Sequence, residues 1–221
     1  EFAESFEMGL RTRSLDNRFG ASIVLFSQET EGLQTQIWED GKFYQDNAGK
    51  TSVEGIEVEL DLIVNDRFDV GLTYANTDGK YDEFTFKSYN YNGTRLPQTP
   101  KTTYSFDASY VAPYGDGELS MTFNYSHKSY IEITPRQPTT FYPIRGATER
   151  DTLNLTVSYE VGNLTFTAWG RNLTDDQAVT MAFNSLSGLY LTPEEAAAGE
   201  QYWIGRVGPP RTFGLTLGYR F

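Results

Sequence analysis

The sequence predicts an all-β chain, an antiparallel transmembrane β-barrel segment of about nine strands, and three observations predict it. Apolar side chains recur at every second position over long stretches, which is the period of a strand with one apolar and one polar face. These stretches run about 9–12 residues, longer than the ~5–6 residues of a globular strand and close to the ~9–11 tilted residues that cross a bilayer. The segments between them alternate without exception, short then long, as in a membrane barrel with tight turns on one side and long loops on the other.

The first stripe is Phe6, Met8 and Leu10, closed by the turn-forming Ser14-Leu15-Asp16-Asn17. Phe19, Ala21, Ile23 and Leu25 make the second, before a polar segment at about 29–50. Ile56, Val58, Leu60, Leu62 and Val64 alternate with Glu57, Glu59 and Asp61, and Asn65-Asp66 turns the chain into Phe68, Val70, Leu72 and Tyr74. A second polar segment covers about 77–100. Tyr104, Phe106, Ala108 and Tyr110 follow, then a Pro/Gly turn over 113–117, then Leu119, Met121, Phe123 and Tyr125. After a third polar segment at about 129–148 come Leu153, Leu155, Val157, Tyr159 and Val161, with Asn154, Thr156, Ser158 and Glu160 opposite. Gly162-Asn163 turns into Leu164, Phe166 and Ala168. The fourth polar segment, about 173–209, contains Thr192, Pro193, Glu194 and Glu195 ahead of three alanines, a capped start for a helical turn or two. The last stripe is the cleanest: Phe213, Leu215, Leu217, Tyr219 and Phe221 on one face, Thr212, Gly214, Thr216, Gly218 and Arg220 on the other.

Composition narrows the function classes. Eighteen Lys+Arg against 30 Asp+Glu give a net charge of −12 over 221 residues, which argues against nucleic acid as a partner. With no cysteine and one histidine, disulfides, thiolate metal sites, cysteine nucleophiles and multi-histidine zinc sites are excluded. Aromatics reach 15%, which a disordered chain lacks. No apolar run approaches the ~20 residues of a membrane helix, and Glu1-Phe2-Ala3-Glu4 shows no signal-peptide pattern.

The stripes carry no charge over their central positions, whereas the opposite face carries Glu57, Glu59, Asp61, Asp69, Asp107 and Arg171. An Arg or Lys on the lipid face at the midplane costs about 2–4 kcal/mol, so the charges lie where that cost is avoided. Phe6, Phe68, Tyr74, Tyr110, Tyr125, Tyr159 and Tyr219 fall near the expected strand ends, the level of an aromatic girdle. A water-soluble sandwich or barrel is the alternative reading of the stripes; long strands with one-sided long loops speak against it.

The chain resembles the C-terminal part of the barrel of TonB-dependent outer-membrane receptors. Glu4-Ser5-Phe6-Glu7-Met8-Gly9-Leu10 with Leu15-Asp16-Asn17-Arg18 is similar to that family's "ES-x-E-x-G-L … L-x-N-R" hairpin. Asn47-Ala48-Gly49 with Gly55-Ile56-Glu57-Val58-Glu59 resembles its "N-x-G … x-G-x-E-x-E" strand entry. Pro97 and Pro100-Lys101 resemble its "L-P-x-x-P-K" step, and Asn172-Leu173-Thr174-Asp175 its "V-x-N-L-T-D" signature. Pro210-Arg211-Thr212-Phe213-Gly214 and terminal Phe221 resemble its last strand.

The resemblance implies one partial receptor barrel over residues 1–221, the last nine of 22 strands, with about thirteen strands, the plug, the TonB box and the signal peptide lying elsewhere. It implies an integral protein of the bacterial outer membrane, not an enzyme, without a cofactor. The expected activity is uptake of a scarce ligand, a ferric siderophore first among them, with energy delivered by TonB. Expected partners are outer-membrane lipid, the β-barrel assembly machinery, the TonB complex and the ligand, and no nucleic acid. The assembly machinery is expected to read Leu215, Leu217, Tyr219 and Phe221. A passive porin or a surface-adhesion barrel without TonB coupling is the alternative.

Ligand contacts are expected on the long loops and upper lumen, where arginines pair with anionic chelates and rings stack on catecholates or sugars. By chemistry the candidates are Trp38, Tyr81, Tyr89, Tyr91, Arg95, Arg136, Tyr142, Arg145, Trp203 and Arg206. Each of them competes with a plain role in loop packing or at the surface. Glu57, Glu59 and Asp61 stand about 7 Å apart along one strand face and read as lumen wall rather than catalytic pairs. His127, near Ser126 and Ser129, lacks any recognisable oxyanion donor or orienting partner and reads as a rim residue at the upper interface. Asp40, Asp46, Asp78 and Asp82 have no calcium-loop spacing.

Overall fold

The computed structural model describes residues 1–14, 16–39, 42–87, 89–132, 146–184 and 203–221. The strands are β1 (Phe2–Arg13), β2 (Phe19–Glu31), β3 (Gln34–Glu39), β4 (Lys42–Asn47), β5 (Lys50–Asn65), β6 (Phe68–Glu83), β7 (Thr85–Phe86), β8 (Tyr89–Asn90), β9 (Thr102–Tyr114), β10 (Gly117–Lys128), β11 (Ile131–Glu132), β12 (Gly146–Ala147), β13 (Arg150–Val161), β14 (Leu164–Arg171), β15 (Val179–Asn184), β16 (Trp203–Val207) and β17 (Thr212–Tyr219). No helix occurs among the described residues; the helical turn expected at 192–198 lies outside them.

Nine strands form one antiparallel sheet in the order β1-β2-β5-β6-β9-β10-β13-β14-β17. These are the nine stripes of the sequence, each paired with its neighbour in the chain. The remaining eight make four two-stranded hairpins, one in each long connection. The polar segments between stripes are therefore partly built, which their composition did not reveal. β5 and β6 are 16 residues long, beyond the expected 9–12, and β14 and β17 only 8. The extra length has a cause: β5 and β6 continue past the apolar stripe into Glu54, Asp78, Lys80 and Asp82 and carry the first two loops.

The register keeps every stripe on one face. One row reads Ala21, Leu60, Leu72, Phe106, Tyr125 and Leu153 from β2 to β13; another reads Val70, Ala108, Phe123, Leu155, Gly170 and Phe213. A one-residue slip would turn a whole stripe to the polar side, so the pattern itself fixes the pairing. This face is uncovered: Leu10 is 70% exposed, Leu217 66% and Leu215 87%. The opposite face carries Ser22, Glu59, Thr73, Ser105, Ser126 and Thr152 in a single row.

Tight turns join the strands at one end of the sheet. Asn17, Gly115 and Gly162 each adopt φ near +59° (59°, 59° and 58°), a conformation that Gly and Asn tolerate best. Neighbouring turns are tied together: Ile63 N donates to Arg18 O at 2.7 Å and Val111 N to Arg67 O at 2.9 Å. Arg220 N donates to Asn163 O at 2.9 Å, so the C-terminus lies at this end too. Two strands approach a ring across a glycine. A Cβ on Gly55 would stand 2.7 Å from Phe26 Cζ, and one on Gly214 2.6 Å from Trp169 Cζ2; each ring covers backbone its partner leaves bare.

The hydrophobic core cluster of the described residues is not between sheet faces but beyond the apolar stripes, against the far ends of β5 and β6. It lies at the long-loop end, where Ile37, Ala48, Tyr81, Phe84, Phe86, Tyr91 and Leu96 are buried together, with Leu33, Tyr44, Val53 and Tyr89 packed against them. Phe84 stacks on Tyr91 at 5.0 Å, and Tyr81 shares a 2.9 Å hydrogen bond with Thr35. Thr30, Thr51, Val53 and Tyr81 belong to the polar-face register and are buried or half-buried here. The first two loops therefore fold over the polar face.

Candidate functional site

The polar face is a cross-strand hydrogen-bond network. Thr73 Oγ1 and Ser105 Oγ lie 2.9 Å apart, and Ser105 donates to Asp107 Oδ2 at 3.3 Å. Asn124 Nδ2 donates to Asp107 Oδ1 at 2.8 Å, and Asn154 Nδ2 donates to Asn124 Oδ1 at 3.0 Å. Asn172 N closes the run on Asn154 Oδ1 at 3.1 Å. The order follows from register, because these residues face one another directly across β6, β9, β10 and β13. The bonds converge on the Asp107 carboxylate, which accepts from Asn124 on one side and from Ser105 on the other.

Charge on this face is sorted by strand. Glu57, Glu59 and Asp61 lie on β5, and Arg11 lies across Ser22 from Glu59. Toward the long loops Lys128 faces Arg150 across β10 and β13, with Thr103 on its other side. Thr103, Ser126, Lys128, Arg150 and Thr152 line an open hollow of about 410 Å³. Arg150 Nε in it is buried without a hydrogen-bond partner among the described residues. A cationic pair beside hydroxyls can receive an anionic ligand by charge-assisted hydrogen bonds. Lys128 and Arg150 escaped the sequence reading; the alternation that puts Asn124 and Ser126 inward continues to Lys128 and would have found it.

The sequence candidates scatter. Tyr81 and Tyr91 are fully buried in the loop core, so packing occupies the rings expected to meet ligand. Tyr89 packs against that core while half-buried. Arg95 bridges Lys80 through the backbone, and its Nη2 donates to Thr99 O at 3.2 Å. Arg206 is exposed on β16, opposite Met181. Trp38 and Trp203 lie on β3 and β16, but their side chains are outside the described residues, as are Arg136, Tyr142 and Arg145 altogether. Asp40 also lies outside. Asp46 caps its own neighbour Asn47 N at 2.8 Å, and Asp46, Asp78 and Asp82 do not converge on one another among the described residues.

His127 sits on the apolar face at its long-loop boundary, in the row Tyr74, Tyr104, His127, Asp151. Its Nδ1 is 3.0 Å from Asp151 Oδ1, and Tyr125 OH donates to the same oxygen at 2.6 Å. An orienting partner thus exists that the sequence did not disclose, 24 residues away and placed by strand register. Asn172, in the Asn-Leu-Thr-Asp motif, is a clasp rather than a ligand residue. Buried at φ +49°, it donates to Asp176 O at 3.0 Å and Pro209 O at 2.8 Å and accepts from Thr174 Oγ1 at 2.9 Å. It fastens the exit of β14 to the entry of β17. Leu215, Leu217, Tyr219 and Phe221 stand exposed on the apolar face of the last strand, with Tyr219 and Phe221 in edge contact at 5.1 Å.

Known proteins share this architecture. A family model described as "TonB dependent receptor-like, beta-barrel" matches residues 1–173. The probable TonB-dependent siderophore receptor PiuA of Acinetobacter baumannii is 26% identical over 197 residues, covering 84% of this chain and 24% of that protein. Among solved structures, the ferric yersiniabactin uptake receptor FyuA of Yersinia pestis superposes with a TM-score of 0.75 at 16% identity, over 99% of this chain and 30% of that one. The ferric-catecholate import receptor Fiu of E. coli K12 gives a TM-score of 0.68 at 22% identity, over 99% of this chain and 27% of that one. The structural likenesses speak for the fold. The chain thus spans about a quarter to a third of the length of the relatives it matches. With its apolar face turned outward and its polar ladder inward, the chain belongs to the TonB-dependent receptor β-barrel family, integral proteins of the bacterial outer membrane.

Proposed function

We propose that this chain is one sector of the wall of an outer-membrane transporter that takes up a ferric siderophore with energy supplied through TonB. One observation carries the reading: a single nine-stranded sheet holds an exposed apolar face, its stripes in register, against a face that carries the hydroxyls, amides and charges. Lipid satisfies the first face and a hydrated lumen the second. Its edge strands β1 and β17 have no further neighbour among the described residues, so strands contributed from elsewhere would close the wall, and a plug and TonB box would reside there too. The named relatives are siderophore or ferric-chelate receptors, which favours that ligand class.

In this reading the chain transports and does not catalyse. Lys128 and Arg150 receive the anionic chelate at the inner face, with Arg95, Arg206 and Tyr89 at the loop end as further contacts. The test is uptake of radiolabelled iron, as a panel of ferric siderophores, by iron-starved cells. Loss of the gene, loss of TonB, and the pair Lys128→Gln with Arg150→Gln are each expected to reduce uptake of the same siderophore. Uptake that survives loss of TonB would point instead to the passive-barrel alternative. The last strand serves assembly: deleting Phe221 is expected to lower the amount of assembled receptor in the outer membrane, read by surface labelling. Unchanged labelling would remove Phe221 from that role.

A further inference from the structure

We propose that His127 and Glu149 form a binding site for a borderline divalent transition metal, with Zn²⁺ as the reference ion, on the outward rim of the wall. His127 alternates with Lys128 along β10, so the site lies across the strand from the Lys128–Arg150 pair, and His127 also borders the hollow which that pair lines. β10 presents His127, β13 presents Asp151 directly opposite it, and Glu149 precedes β13 by one residue.

The hydrogen bonds fix the imidazole. Asp151 as a carboxylate only accepts, so His127 Nδ1–H donates to its Oδ1 at 3.0 Å. In the neutral imidazole, the form a metal binds, the Nε2 lone pair then points the other way. Facing it at 3.7 Å is Glu149 Oε1. The gap is too long for a hydrogen bond and sets two electron-pair donors, one of them anionic, against each other. Two ligand atoms on a tetrahedral zinc, each ~2.0–2.1 Å from the metal, stand about 3.4 Å apart. The gap therefore suits one ion after a shift of a few tenths of an ångström. Glu149, 65% exposed, has room to make that shift, whereas the imidazole is only 10% exposed.

The supporting groups are already placed. Tyr125 OH holds Asp151 at 2.6 Å, and the Tyr104 ring stacks on the imidazole at 4.6 Å and 15°. A carboxylate–imidazole–metal relay uses this arrangement, in which the carboxylate sets the tautomer and strengthens the nitrogen as a donor. No lysine or arginine fills the gap: among the described residues His127 is the one basic side chain within ion-pair distance of Glu149 or Asp151. Neighbouring Lys128 and Arg150 alternate to the inner face. One imidazole nitrogen with one carboxylate oxygen selects zinc, copper or nickel over calcium and magnesium, which demand mostly oxygen ligands. Water takes the remaining positions.

The experiment is a calorimetric titration of the full-length protein in detergent with ZnCl₂, in parallel with His127→Ala, Glu149→Gln and Asp151→Asn. The wild type is expected to bind one more Zn²⁺ per chain than His127→Ala. Glu149→Gln is expected to weaken that site at least tenfold, and Asp151→Asn by about 10–100-fold, the usual effect of losing an orienting carboxylate. Millimolar CaCl₂ is expected not to compete. Equal stoichiometry and affinity in the wild type and His127→Ala would overturn the proposal. Should His127→Ala fail to assemble, Glu149→Gln decides at its exposed position, and unchanged Zn²⁺ binding there would overturn it equally.

Discussion

The wall and the loop core treat apolar side chains in opposite ways. In the wall, Leu10, Leu25, Leu72, Phe166 and Leu217 stand uncovered on one continuous face. In the loops, Ile37, Tyr81, Phe84, Tyr91 and Leu96 bury against each other and expose almost nothing. Both regions come from one chain with one composition, so the difference lies in the solvent each meets. The wall faces hydrocarbon, which replaces a core. The loops face water and must make a core of their own. Strands β5 and β6 pass through both regimes. They alternate apolar and polar up to Ile56 and Tyr74, then turn charged outward and apolar inward beneath the hairpins.

Substitutions break this comparison in graded steps. The largest effect is expected in the loop core. Phe84→Ala should cost the loop unit about 3–5 kcal/mol, as for other buried aromatics. Limited proteolysis in the segment 84–101 reads it, while the wall keeps its resistance to unfolding in detergent. Loss of both together would mean that the two regions are one cooperative unit.

Next comes the wall. Leu72→Arg places a guanidinium among Leu60 and Phe106 on the lipid face and should cost about 2–4 kcal/mol. Thr73→Arg, one residue on, points to the lumen and should cost far less. Denaturant unfolding from lipid vesicles compares them, and equal costs would erase the distinction between the faces.

Much of this was legible in the sequence. Period two named all nine wall strands, because lipid on one side and water on the other enforce strict alternation. The short turns were legible for their own reason: Asn17, Gly115 and Gly162 sit where a positive φ is needed. The loops were not legible. Tyr81 and Tyr91 look like ligand rings in an exposed segment, and only the packing of β3, β4, β7 and β8 over them makes them core. His127 read as solitary because its partner comes from another strand, and pairing in space is not written locally. The Asn-Leu-Thr-Asp motif was recognised without its reason, which is the clasp from Asn172 to Pro209 and Asp176.

That clasp gives a smaller prediction, where loop meets wall. Asn172→Ala removes its buried hydrogen bonds and should cost about 1–3 kcal/mol. Asn172→Gly relieves the backbone at φ +49° but restores no hydrogen bond, so it should recover only part of the loss. Full recovery by Gly would assign the motif to backbone conformation alone.

The smallest effect belongs to the tight-turn end. The Ser14 hydroxyl, and then the Arg18 backbone N–H, hold the Asp16 carboxyl below the ordinary Asp range. A carboxyl with a depressed folded pKa stabilises the turn above its unfolded value and loses that contribution as pH falls through the folded one. The turn should therefore loosen only below the ordinary Asp range, and Ser14→Ala should raise the pH at which this happens. NMR titration of the Asp16 carboxyl checks the direction.

The most direct test of the two-faced wall uses a chain that contains no cysteine. Single cysteines at 70 to 75 along β6 are spin-labelled in the assembled protein in membranes, and relaxation by oxygen is compared with relaxation by a water-soluble nickel chelate. Labels at Val70, Leu72 and Tyr74 are expected to respond to oxygen, and those at Gly71, Thr73 and Ala75 to the chelate, in strict alternation. Uniform response along the strand, or alternation with the faces exchanged, would contradict the assignment of the apolar face to lipid.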